Sequence, residues 1–142
     1  MKRLALALIL TTAPAAAQTP PTDLTTPEGA AYIHATLGGA MLSFQNQGDN
    51  DLIYFTNLLA WRCGTASILY GLNDDPPTTL FPAEPCYREF REPNVLQHVG
   101  EPGFPFFLTV PKDSVQKITI RVLYEDGKMA EFVSERAKNL MP

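Results

Sequence analysis

KDSVQKITIRVLYEDGKMAEFVSE, residues 112–135, holds two runs of alternating apolar and polar side chains around Glu125-Asp126-Gly127. Ile118, Ile120, Val122 and Tyr124 alternate with Thr119, Arg121 and Leu123. That is the period of a strand with one buried face. Two turn lengths compete. A two-residue Asp-Gly turn sets Arg121 against Phe132 and Val122 against Glu131, so charges face apolar partners. A three-residue loop with Gly127 left-handed sets Arg121 against Glu131, Val122 against Ala130 and Ile120 against Phe132. A one-residue slip turns every side chain over. The register that keeps one face apolar and puts an ion pair on the other is therefore expected, with the three-residue loop. Glu131 then reads as a surface partner of Arg121 and not as a catalytic acid.

Working outward, FPFFLTVP (104–111) reads as an edge strand because prolines bracket it. LIYFTNLLAWRC (52–63) is apolar on both strand faces, and its aromatic and β-branched start favours a central strand over a buried helix. Asn57 within it reads as a buried amide bonded to backbone, with a ligand contact as the alternative. TASILYGL (65–72) is a further strand, ended by Asn73-Asp74-Asp75-Pro76-Pro77. AAYIHATLGGAMLSFQNQ (30–47) could begin with a short helix or hold two short strands around Gly38-Gly39, and its alternation favours the strands. GDND (48–51) is a turn: Asp49 and Asp51 resemble the start of a calcium loop, but the oxygen ligands that must follow are missing. SERAKNLMP (134–142) is a tail with at most one helical turn. The expectation is an all-β fold, a small antiparallel β-sandwich of six to eight strands. The hairpin-rich layout resembles immunoglobulin-like sandwiches in general, a likeness of fold that carries no function.

The first residues, MKRLALALILTTAPAAAQ, fix the expected compartment. Lys2 and Arg3 precede the apolar run Leu4 to Leu10, and Ala15 and Ala17 supply a small-x-small cleavage pattern. Residues 1–17 therefore read as a signal peptide cut after Ala17, with a periplasmic or secreted destination. The run falls well short of the roughly 20 residues that span a bilayer. Residues 18–29 (QTPPTDLTTPEG) read as a disordered leader, and residues 30–142 as one domain. Losing Lys2 and Arg3 takes the formal charge from −4 to −6. So acidic a chain argues against nucleic acid and against anionic membrane surfaces.

Export also bears on the cysteines. Cys63 and Cys86 are the only two, and paired cysteines in an oxidising compartment form disulfides. Their spacing is not that of a CxxC redox pair. With the scattered His34 and His98 they make a poor zinc set, so no metal is expected. Cys86 lies in FPAEPCYREF (81–90), part of a long segment (73–105) carrying Pro76, Pro77, Pro82, Pro85, Pro93, Pro102 and Pro105. Proline keeps such a stretch out of helix interiors and central strands. YREFREPNVLQ (87–97) could hold one short helix. Loops of this length are often functional, and one stapled by a disulfide is pre-organised to bind.

No phosphate-cradling glycine loop, nucleophile elbow or HExxH is present, so no catalytic residue and no cofactor are expected. The expected function is a non-enzymatic periplasmic binding or interaction module for a protein partner. Its candidate contact residues are Phe81, Tyr87, Arg88, Phe90 and Arg91, since aromatic and arginine side chains anchor such surfaces. One alternative is a small-molecule or glycan binder with Trp61 and tyrosines lining a pocket. The other is a hydrolase using loop carboxylates (Glu84, Glu89, Glu92) and His98.

Overall fold

In a computed structural model, which describes residues 19–142, the chain is mostly β. The elements run α1 (Pro27–Leu37), β1 (Ser43–Gln47), β2 (Asn50–Tyr54), α2 (Thr56–Leu59), β3 (Thr65–Leu72), β4 (Thr79–Phe81), β5 (Phe107–Pro111), β6 (Lys117–Tyr124), β7 (Met129–Glu135) and α3 (Arg136–Asn139). They form two antiparallel sheets, ordered β1-β2-β5 and β4-β3-β6-β7. The expected cleavage segment 1–17 lies outside the described residues. No described helix is long and apolar enough to cross a membrane.

The hairpin at 112–135 takes the expected register: Arg121 opposite Glu131, Val122 opposite Ala130, Ile120 opposite Phe132. Gly127 has φ 84°, and Tyr124 N donates to Lys128 O at 2.9 Å, closing the three-residue loop. Arg121 Nε donates to Glu131 Oε1 at 2.7 Å. β3 covers Thr65–Leu72 as read from sequence, and β5 is an edge strand. Asn73 ends β3 with φ 53°, a left-handed conformation that asparagine tolerates.

Two segments differ from expectation. Residues 30–37 are helical, not a strand. Thr26 caps α1 by accepting from Gly29 N at 3.1 Å, and Pro27 occupies the first turn. These local signals outrank the short alternation of Tyr32, His34 and Thr36 with Ile33, Ala35 and Leu37. Pro27–Gly29 thus belongs to the first turn of α1 and not to a loose leader, and a Cβ on Gly29 would lie 2.3 Å from Asp23 O. Residues 52–63 also do not run as one strand. β2 ends at Tyr54, and α2 then turns Leu58 and Leu59 inward beside Phe55. An all-round apolar stretch has no period to separate the two structures. Asn57 is exposed, and its amide donates to Ala40 O at 3.3 Å.

Residues of both sheets share one core. Phe44 and Ile53 come from the three-stranded sheet, and Ile68, Ile118, Ile120 and Val122 from the other. Phe55 stacks on Phe81 with ring centroids 4.0 Å apart. Asp51 ties the sheets at one end: its buried carboxylate accepts from Arg136 Nε at 2.8 Å and from Asp113 N at 3.0 Å. Its place is structural, and no described group of three or more His, Cys, Asp or Glu could hold a metal. The strand edges are short or covered. Leu140 bridges to Phe44 and Met141 N donates to Phe44 O, so the tail lies along β1. The 3₁₀ turn Gly38–Ala40 flanks β7, where Gly39 O accepts from Ser134 Oγ at 2.9 Å.

His34 lies on the buried face of α1. Its Nδ1 meets the Tyr124 hydroxyl at 3.1 Å, and Nε2 has no hydrogen-bond partner among the described residues. Burial lowers its pKa from 6.5 to about 4, only partly countered by the Trp61 carbonyl. The unfolded chain therefore takes up this proton at a higher pH than the folded one. Stability should fall as pH drops from 6.5 to about 4 and level off below. The loss should total about 3 kcal/mol. The Arg136 partnership of Asp51 acts in a lower window, because its pKa is lowered from 3.8 to about 2. Its contribution is present above the first value and lost towards the second. Urea denaturation across this range should show the upper slope in the wild type and its absence in His34→Asn.

Candidate functional site

Arg62 organises the 73–105 segment from the inside. It follows α2 in the chain and is 2 % exposed. Its Nε donates to Glu84 O at 2.8 Å and Pro85 O at 3.1 Å, Nη1 to Asn94 O at 2.6 Å and Leu59 O at 3.2 Å, and Nη2 to Pro85 O at 2.7 Å and Val95 O at 3.3 Å. Only the planar guanidinium offers donors in this many directions. The Tyr87 ring lies 5.5 Å from its central carbon. Burial presses the Arg62 pKa below its ordinary value, while the Glu84 and Tyr87 charges oppose that shift.

Glu84 supplies the matching acceptors. Its carboxylate receives Gln97 N at 2.8 Å, His98 N at 2.9 Å and the Tyr87 hydroxyl at 3.0 Å. Burial alone would raise its pKa, but these donors outweigh burial and lower it. The Cys63–Cys86 disulfide closes the base of the loop, and Cys63 N donates to Asn94 Oδ1 at 2.8 Å. A disulfide accords with an oxidising compartment. The segment read as one loop is broken by β4 (Thr79–Phe81), and from Pro82 to Phe106 it has no helix or strand, only turns and bends. Main-chain groups that a helix or sheet would pair are met instead by Arg62, Glu84 and Asn94.

The five candidate contact residues separate. Phe81 is a correction to the sequence reading: it is 2 % exposed, sits in β4 and stacks in the core, so it cannot meet a partner. Tyr87 is half-buried and Phe90 is 48 % exposed, their rings 5.6 Å apart. Arg88 Nη2 donates to Glu125 Oε2 at 2.7 Å, linking the loop to the β6–β7 turn. Arg91 is exposed. Tyr87, Arg88, Phe90 and Arg91 thus follow one another closely along the loop, and Val95 and Val99 further along it are also exposed.

The hydrolase residues do not assemble. Cys86 is oxidised and Glu84 is engaged by three donors. His98 Nδ1 meets Glu101 Oε2 at 3.2 Å, but both side chains are exposed and, among the described residues, Glu101 is the only hydrogen-bond partner of that ring. Trp61 lines none of the main hollows. One hollow of about 910 Å³ lies between α1 and the β6–β7 turn, lined among others by Tyr32, Glu28, Tyr124, Asp126, Lys128, Ala31, Ala35 and Ala130.

Comparison of the chain with protein-family models, curated proteins and solved structures finds no match.

Sequence reasoning passed over Arg62. The signal was there: a lone cation at the end of a twelve-residue stretch with no other charge beyond its first residue's neighbour Asp51, next to a cysteine. Arg62→Met should remove the donors of at least five carbonyl contacts and destabilise the protein by about 3 kcal/mol, the scale for stranding buried polar partners. Limited proteolysis should cut within 82–98 in this variant and spare the wild type. Replacing both cysteines by serine should cost about 3 kcal/mol in the chain-entropy model. Thermal unfolding checks this, and unchanged stability would show that the bridge constrains nothing.

Proposed function

We propose that this is an exported, non-enzymatic binding module, cleaved after Ala17, that meets a protein partner through the surface of the 82–98 loop. The observation that supports the reading is the division of that loop. Its interior is held by Arg62, Glu84 and the disulfide, while Phe90 stands out on the Tyr87 ring between Arg88 and Arg91. A rigid loop with an exposed aromatic anchor and flanking guanidinium groups loses little entropy on binding. We read the two sheets, which share one core, as the layers of a small antiparallel sandwich that presents this loop.

The hollow between α1 and the hairpin turn supports a second reading, a small-molecule or glycan site. It is large enough for such a ligand, and Glu28, Tyr32, Asp126 and Lys128 line it together with Ala31, Ala35 and Ala130.

Site-specific photo-crosslinking in cells separates the two. A crosslinker in place of Phe90 should give a defined protein adduct, and Tyr87→Ala should abolish it. A crosslinker in place of Ala35, in the hollow, should give none. Adducts at position 35 alone, or a position-90 adduct indifferent to Tyr87→Ala, would move the site away from the loop.

A further inference from the structure

We infer that α1 is a proton-operated strap: it lifts from the sheets as a unit while they stay folded, and uptake of a proton by the His34 imidazole favours the lifted state.

Little seats the helix. Within α1 only Gly29, Ala30 and His34 are buried, so His34 is the one large side chain that it sinks into the core. Ala31 and Leu37 pack on the margin. The bond between His34 Nδ1 and the Tyr124 hydroxyl, 3.1 Å long, is the only side-chain hydrogen bond from α1 to a strand among the described residues. Elements with so little buried apolar surface open locally, below the cost of unfolding the whole domain.

The chain is fixed just beyond the helix. Gly39 O accepts from Ser134 Oγ and from Asn139 Nδ2, both at 2.9 Å. Gly38 stands between this anchor and α1. It has φ 50°, and a Cβ there would meet nothing within 4 Å. A residue free of neighbours can absorb the change of dihedral angles that a hinge needs. At its other end the helix rests on Gly64, where a Cβ would lie 2.4 Å from Thr26 O. That contact is backbone packing, which does not respond to protons.

The seat of His34 does not accommodate a charge. Tyr124 faces the ring from β6, with centroids 5.8 Å apart, and Phe132 from β7, edge-on at 6.4 Å. Tyr124 keeps its proton, because burial and Asp126 raise its pKa. The Trp61 carbonyl, from the residues after α2, favours the charged ring but only in part offsets burial. On α1 itself the one acid is Glu28, exposed in the first turn. No described carboxylate pairs with the ring. An imidazolium buried without an anion is unstable in place. Lifting α1 returns the ring to water, where it holds its proton at the ordinary value of 6.5 instead of about 4.

α1 also supplies Glu28, Ala31, Tyr32 and Ala35 to the hollow beside the β6–β7 turn, so lifting it dismantles that hollow. Discharge of a ligand there on acidification rests on the second reading above; the strap itself does not.

Native-state hydrogen exchange on the purified protein, corrected for the intrinsic effect of pH on exchange, tests the strap without a ligand. Amides 31–37 should be less protected than those of β6. Between about pH 7 and about pH 5 their protection should fall about 20-fold. The fall should vanish in His34→Asn and persist in His98→Asn, which removes the only other histidine. Tyr124→Phe should lower the protection of α1 at both pH values yet keep the fall, because the imidazole remains. Equal protection of α1 and β6 would mean that the helix opens only with the whole domain, and it overturns the inference. So does a fall that survives His34→Asn, or one that is lost in His98→Asn.

Discussion

A buried guanidinium surrounded by main-chain carbonyls is the constraint on which the rest of this molecule turns. Arg62 replaces, for one irregular segment, the hydrogen bonding that a sheet would give. Taking a cation out of water is costly unless its donors are met. Here the partners are carbonyls that would otherwise be stranded, so the two needs cancel. Arg62 hydrogen-bonds backbone and not side chains, and Tyr87 alone of the candidate contact residues joins this interior, through its hydroxyl on Glu84 and its ring beside Arg62. Glu84 works in the reverse sense, as an anion meeting stranded N–H groups.

The two sheets depend on a second, smaller set of polar ties. Asp51 holds Arg136 and the Asp113 amide, and so joins β2 to the turn after β5 and to the end of β7. His34 and Tyr124 join α1 to β6. Tyr124 is kept protonated by its burial and by the nearby Asp126, with a pKa raised to about 12. These contacts sit around an apolar core drawn from both sheets, and they orient elements that hydrophobic burial alone would hold less specifically.

How much was legible in the sequence follows from how much each segment depends on distant partners. The 112–135 hairpin was readable because its register is decided by its own side chains, and the two turn lengths gave incompatible pairings. β3 was readable from the asparagine, aspartates and prolines that end it. The disulfide followed from there being only two cysteines. By contrast, α1 was missed because Thr26 and Pro27, a cap and a first-turn proline, were read as part of a tether. The break at Phe55 was missed because a stretch apolar on every side carries no period. At the candidate site, Tyr87, Phe90 and the arginines could be picked by residue type. That Phe81 points inward could not, because its direction depends on pairing with Ile68 and stacking on Phe55. Nor could the partners of Arg62, which lie up to 33 residues away in the chain.

The treatment of the strand edges has a consequence for crowded solutions. Two open sheets have four edges, each a template for adding foreign strands. In this protein β4 is three residues long, β5 ends in Pro111, β1 is met by Leu140 and Met141, and β7 is flanked by the Gly38–Ala40 turn. A neighbouring chain finds no long run of free backbone on which to propagate. Growth into cross-β fibrils is thereby discouraged in the native state, even at high local concentration.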